Sequence, residues 1–236
     1  MSKTVCESCS NEYKRLAGHW SCSSSCSHPP LSDEQIEIAT GLLMGDGCLN
    51  RNNKNPYLVS EMISPNYLKY IDNKFGLFGN GVSFLRSAEE SAKRAVVSGF
   101  RTDAKAKNYS ELYKWQSMSH PDLLQLSGWY ATGEKVWPED IELTPTVLKH
   151  WYCCDGSYNN NGSSNHIKIS MGNENGNTDK IDRMFKNVGL PSPEQYQSGD
   201  NNAFDAVFTV NQSHKIWNYM EEPLPDFEYK WHNEYQ

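Results

Sequence analysis

Gly41-Leu42-Leu43-Met44-Gly45-Asp46-Gly47 and, in the second half of the chain, His150-Trp151-Tyr152-Cys153-Cys154-Asp155-Gly156 are two versions of one phrase. Each is an apolar stretch of helical length that stops at Asp-Gly, and each leads into a turn and a strand-like segment. Gly41 and Gly45 are i,i+4 neighbours and share one helical face. A glycine inside a helix costs ~1 kcal/mol against alanine, so two of them imply close approach of a second helix. His150 and Cys154 take the equivalent places in the second phrase. Packing the two helices side by side brings two negative C-terminal ends and two carboxylates together. A divalent cation reverses that unfavourable sum, and hard oxygen ligands in anionic surroundings suit Mg2+, with Mn2+ as the alternative.

The repeat extends beyond the phrases. Ser32 with Gln35 reads as a capping box for the first helix. Thr144-Pro145 reads as an N-cap and N1 proline for the second. Between them, strands are expected near Cys48–Asn50, Tyr57–Ile63, Val82–Arg86 and Glu111–Ser117. Helices are expected from Ser64-Pro65 to Phe75-Gly76 and over Pro121–Ala131, with a long polar loop from Arg86 to Asn108. After the second phrase, Asn159–Asn165 reads as a turn and His166–Met171 as a strand. Thr178–Val188 then reads as a helix, Phe204–Val210 as a strand and Ser213–Met220 as a helix. The fold class is α+β: tandem pseudo-two-fold αββαββα repeats, divided as a module over 1–30, a first domain over 31–139 and a second over 140–236.

The 236 residues are 37% hydrophobic and 12% aromatic, which suits a packed globule. No apolar run is long enough to cross a membrane. No basic start with an apolar core is visible at the N-terminus, so an intracellular, cytoplasmic protein is expected. The net charge of −7 is unusual for a nucleic-acid binder, but Lys and Arg concentrate between Arg86 and Lys114. The seven cysteines are odd in number and clustered, which argues against a disulfide scaffold.

At the two Asp-Gly phrases the chain resembles the LAGLIDADG homing endonucleases, over about residues 31–236. The second phrase is similar to the Trp-Phe-x-x-Asp-Gly variant of single-chain members. The resemblance implies a saddle of two antiparallel sheets in the DNA major groove, with the motif helices at the domain interface. It also implies metal-bound catalytic aspartates at Asp46 and Asp155, with the preceding Gly45 and Cys154 at the metal centre. Trp129-Tyr130-Ala131-Thr132-Gly133-Glu134-Lys135-Val136-Trp137-Pro138 resembles the family's Tyr-x-x-Gly-x-Lys-x-x-Pro stretch, whose lysine reaches the active centre. Glu228-Tyr229-Lys230-Trp231 holds the corresponding place in the second half. Lys135 and Lys230 are therefore catalytic candidates, able to orient water or offset developing charge. His150 and Cys154 depart from the small or acidic residues of the family pattern.

Sheet readers present alternate side chains to the groove, where Arg and Lys suit guanine and Asn and Gln suit adenine. Candidates in the first half are Arg51, Asn53, Tyr57, Arg86, Arg101, Lys105, Lys107 and Lys114. In the second half they are Asn160, Asn165, His166, Lys168, Gln195, Gln197 and Asn201. Cys6-Glu7-Ser8-Cys9 has metal-knuckle spacing, and Cys6, Cys9, His19 and Cys26, or Cys22 in its place, are candidate Zn2+ ligands in a finger-like module. The expected activity is a monomeric, site-specific double-strand DNA endonuclease with a long target. The alternative is a cleavage-inactive relative acting as an intron-RNA maturase or DNA-binding regulator. A zinc deaminase is excluded because His-x-Glu with Pro-Cys-x-x-Cys is absent.

Overall fold

The computed structural model describes residues 29–161, 164–174, 176–198 and 204–232, together with a short antiparallel ladder of β1 (Lys14–Leu16) and β2 (His19–Ser21). Two compact units contain these elements.

The first unit takes in residues 48–123 and holds a four-stranded antiparallel sheet: β3 (Cys48–Asn50), β4 (Tyr57–Met62), β5 (Gly79–Arg86) and β6 (Leu112–Ser117), in the order β3-β4-β6-β5. Helix α2 (Pro65–Phe75) packs on it, started by proline at N1 after Ser64. Period-2 alternation sends Leu58 and Trp115 into the core with Tyr67, Leu68, Ile71 and Phe75 of the helix. The Trp115 indole meets Phe75 edge-on at 4.9 Å and donates a 2.9 Å hydrogen bond to Asp72.

The segment expected to be a polar loop after β5 contains a helix, α3 (Ala88–Val97). Ser87 and Glu90 form a reciprocal capping box, and only the small Ala92 and Ala95 are buried. The apolar stripe is short and interrupted by Lys93 and Arg94, which hid its period. The expected third helix of this half is instead a 3-10 segment over Pro121–Tyr130, with Leu123, Leu126 and Trp129 buried and Leu124 exposed.

The second unit combines residues 32–47 with 124–236. It holds the two motif helices, α1 (Asp33–Met44) and α4 (Pro145–Asp155), packed against each other. Both expected caps are present: the Ser32–Gln35 box on α1, and Thr144 accepting from the Val147 N–H on α4. A second antiparallel sheet contains β7 (Gly156–Asn161), β8 (Ser164–Ser170), β9 (Gln195–Ser198) and β10 (Phe204–Val207), ordered β7-β8-β10-β9. That order repeats the first sheet's, strand for strand. Helices α5 (Thr178–Asn187) and α6 (Val210–Met220) complete the repeat. The core joins Ile167, Ile169, Trp151, Phe185, Phe208 and Trp217, all essentially without exposed surface. The αββαββα order is thus present in both halves, with α3 added to the first and a 3-10 turn closing it.

Cys6, Cys9, Cys22 and Cys26, four of the five zinc candidates, and Asn201 lie outside the described residues, and of His19 only the backbone, in β2, is described. Among the described residues no helix is long and apolar enough to cross a membrane.

Candidate functional site

Close contact of α1 and α4 builds the site. A side chain at Gly41 would place its Cβ 2.6 Å from both the His150 Cβ and the Val147 carbonyl oxygen. At Gly45 it would overlap the Cys154 Cβ and lie 3.5 Å from Asp155 Oδ2. Hydrogen at these two positions is what lets the helices approach. His150 is buried in the second helix at the equivalent place, so the departure from a small residue is accommodated by the glycine opposite it.

The two aspartates follow from that contact. Asp46 sits in the turn that ends α1, and Asp155 is the last residue of α4. Asp155 is half-buried, and burial first, then the Asp46 charge, pushes its carboxyl up to about 7 against the pull of Lys135 and Lys230. Asp46 keeps exposed surface, yet partial burial of its carboxyl raises its pKa through desolvation, with the two lysines opposing. Burial and then the two carboxylates raise the intervening Cys154 thiol well above its usual range.

Each lysine holds the end of one motif helix. Lys135 Nζ donates to the carbonyls of Gly45 at 2.6 Å and Gly47 at 3.1 Å. Lys230 Nζ donates to the carbonyls of Cys153 at 2.6 Å and Tyr152 at 3.4 Å, while the Tyr152 hydroxyl donates back to the Lys230 carbonyl at 2.6 Å. The Gly45 and Cys153 carbonyls lie at the two helix C-termini, where a cation is most favourable; the Tyr152 carbonyl also accepts from the Gly156 N–H, and Gly47 lies just past α1. Burial lowers the Lys230 pKa against the attraction of its anionic neighbours. The structure therefore brings Asp46, Asp155, Lys135 and Lys230 into one cluster with two-fold character.

The donor set fits a hard divalent cation. Asp46 raises the proton affinity of Asp155, and burial raises that of both, so the pair gains from a shared positive charge. Mg2+ needs only one or two carboxylates, completing its shell with water and substrate oxygens. Protonated Cys154 offers such an ion its backbone carbonyl and no thiolate, whereas the Gly45 carbonyl already accepts from the Lys135 ammonium and has only its second lone pair to offer. Among the described residues no group of three or more His, Cys, Asp and Glu side chains is placed to hold a metal ion, here or elsewhere, so a cation at this site would rest on the two carboxylates and on carbonyl and water oxygens.

On the first sheet, Tyr57, Arg86 and Lys114 occupy register positions on the face opposite Trp115, joined by Gln116. Lys114 pairs directly across from Glu61. Arg51 and Asn53 are exposed in the β3–β4 turn, and Arg101, Lys105 and Lys107 are exposed beyond α3. On the second sheet, Lys168 and Gln197 share a face with Asn159, His166 and Gln195, lining an open groove of about 510 Å³. Asn165 does not join them: its register puts it on the face of buried Ile167 and Ile169. Asn160, exposed at the far end of β7, pairs with it and shares that phase. Lys168 is held by a 2.6 Å ion pair with Asp205 of β10. Asn159 and Gln116 were missing from the sequence candidates; strict alternation from Lys114 finds Gln116, whereas Asn159 is placed only by its pairing with His166 across β7 and β8.

An α+β chain with two like-ordered antiparallel sheets and paired helices ending in aspartate defines a narrow structural class. The chain belongs to the LAGLIDADG DNA endonuclease family, whose model matches residues 36–215. It is 24% identical over 141 residues to the uncharacterized protein MJ1098 of Methanocaldococcus jannaschii, covering 59% of this chain and half of that protein. Among solved structures, the homing endonuclease I-WcaI bound to its DNA recognition sequence superposes with a TM-score of 0.65 at 14% identity. That match covers 86% of this chain and 87% of that one, and shows a shared fold.

Proposed function

We propose that the chain is a site-specific double-strand DNA endonuclease of the homing type. It hydrolyses phosphodiesters at Asp46 and Asp155 with Mg2+ or Mn2+. The observation that carries this reading is the matched pair: one aspartate and one lysine at the end of each of two helices in contact, all from one chain. A single chain supplies both acidic groups, so the working unit is a monomer.

Asp46 and Asp155 would hold the cation, assisted by the carbonyls of Gly45 and Cys154. A bound divalent ion supplies a water of lowered pKa and stabilises charge on the phosphate and leaving oxygens. The protein's own groups do the rest. The aspartates fix where positive charge sits. Lys135 and Lys230 hold the motif ends still, and their ammonium groups favour the added negative charge of the transition state. Tyr57, Arg86, Lys114 and Gln116 on one sheet, and Asn159, His166, Lys168, Gln195 and Gln197 on the other, present alternate side chains of the type that reads base edges. Arg51, Asn53, Arg101, Lys105 and Lys107 suit phosphate contact, which positions the duplex and carries no sequence information. The cysteine-rich N-terminal segment is proposed from its spacing to bind zinc through Cys6, Cys9, His19 and Cys26 (or Cys22); equimolar zinc in the purified protein supports it, and zinc-free protein with unchanged folding contradicts it.

Selection from a randomised duplex library, run in Ca2+ for binding and in Mg2+ for cleavage, tests the reading. The nuclease enriches one long site in both arms and cuts it only in the second. A DNA-binding regulator enriches a site and never cuts it.

A further inference from the structure

Behind the cluster lies a buried ion pair that the proposed chemistry does not use. Glu174, wholly buried, and Lys180, 4% exposed, meet at 3.1 Å. Burying two charges is costly, and a buried pair is weak evidence of stabilisation by itself. Its hydrogen bonds show where it acts. Glu174 Oε1 accepts from the Trp137 N–H at 3.0 Å, and Lys180 Nζ donates to the Trp137 carbonyl at 2.6 Å. Both backbone groups of one residue are thus gripped by one charge pair. Asn177 Nδ2 donates to the other Glu174 oxygen at 2.8 Å, fixing the carboxylate's orientation. The Trp137 ring stands edge-on to Trp151 of α4 at 5.1 Å.

Trp137 is two residues from Lys135. The intervening segment, residues 131–136, has no helix or strand of its own, and its side chains other than Lys135 are exposed. Its backbone bonds are local: the Ala131, Gly133 and Val136 N–H groups donate to the Gly128, Tyr130 and Trp129 carbonyls at 3.1, 3.0 and 2.7 Å, and Trp137 is where the segment is next anchored to a distant part of the chain. We propose that Glu174 and Lys180 are positioning residues for Lys135: they clamp the backbone of Trp137 so that the Lys135 ammonium stays on the Gly45 and Gly47 carbonyls. The pair replaces, for this irregular loop, the support that a helix or strand gives a catalytic side chain. Its importance for cleavage rests on the role proposed for Lys135, but the clamp itself is a property of the free protein.

The test is therefore read without DNA. Competitive amine acetylation followed by mass spectrometry reports how often each lysine leaves its hydrogen bonds. In Glu174→Leu and in Lys180→Met, Lys135 labelling rises at least about fivefold, the signature of local opening, while Lys230 labelling stays constant. Glu174→Gln keeps an acceptor for the Trp137 N–H but turns its amide NH2 toward the Lys180 and Asn177 donors, so Lys135 labelling rises by less than in Glu174→Leu. Asn177→Ala is a milder variant that leaves the ion pair intact and gives a smaller rise, so the test survives if the harsher variants fail to fold. Unchanged Lys135 labelling in Asn177→Ala and in every folded clamp variant overturns the proposal. So does a parallel rise at Lys230, which marks general loosening. Labelling that behaves as expected in a protein that never cuts DNA leaves the clamp standing and removes only the nuclease reading.

Discussion

Replacing Gly45 by alanine perturbs the helix contact at its tightest point. The new methyl would overlap the Cys154 Cβ and sit 3.0 Å from its sulfur, where ordinary contact begins near 3.4 Å. Gly45 is the C-cap of α1, with φ −108° and ψ −128°, so alanine gains little helix propensity there. The helices must part by roughly 1 Å, and overpacking of that kind costs about 1–3 kcal/mol. The obstacle is a Cβ on one residue, so the remedy is specific. Cys154→Gly removes it and Cys154→Ala does not. In a urea-unfolding double-mutant cycle, Gly45→Ala with Cys154→Gly recovers at least ~1 kcal/mol of coupling. Gly45→Ala with Cys154→Ala recovers almost none. Cleavage falls further than stability, by about 100-fold, because separation moves Asp46 away from Asp155. Gly41→Ala provides the contrast: its obstacles include the Val147 backbone oxygen, so no substitution at position 150 fully restores it. A Gly45→Ala protein as stable and active as the native one, or equal rescue by Cys154→Ala, refutes the close-approach argument.

Asp155→Asn should stabilise the metal-free protein at pH 8 and hardly at pH 4. The Asp155 carboxyl lies at about 7 when folded and near 3.9 when unfolded; its contribution therefore favours folding below the unfolded value and is lost as pH rises through the folded one. The expected gain is ~2 kcal/mol, below the full linkage value because Asp46 shares the titration; parallel stability profiles in EDTA from pH 4 to 8 contradict it. Lys230→Met leaves the Cys153 carbonyl without its donor, and about 1–3 kcal/mol of unfolding free energy should be lost along with cleavage. Converting Arg101, Lys105 and Lys107 to alanine should weaken binding to all sequences alike and flatten the salt dependence by about one unit of slope per lost phosphate contact. A change in sequence preference, measured by repeating the library selection, would assign them to base reading instead.

How far the sequence could be read depended on the range of each signal. The motif helices were legible because their signals are local: Ser32 with Gln35, Thr144 with Pro145, and an apolar run cut off at Asp-Gly. The lysines needed the resemblance, since nothing in the composition near Lys135 or Lys230 says that a loop will fold back onto a helix end. Helix α3 was missed although Ser87 and Glu90 spell its cap, because its buried face is two alanines among charged residues. Asn165 was misplaced because Asn159–Asn165 reads as a turn by composition, whereas β7 runs to Asn161 and β8 begins at Ser164, so alternation carries Asn165 to the face of Ile167 and Ile169. The Glu174–Lys180 clamp was out of reach because its target Trp137 lies in a different segment of the chain.

The most direct measurement is single-turnover cleavage of the selected duplex by the native protein, Asp46→Asn and Asp155→Asn in Mg2+, with binding followed in parallel. Native protein should cut both strands, while each asparagine variant binds with undiminished affinity and loses double-strand cutting by at least about 100-fold. Either variant cutting both strands at the native rate contradicts the shared acidic centre, and a native protein that binds its site and leaves it whole contradicts the nuclease.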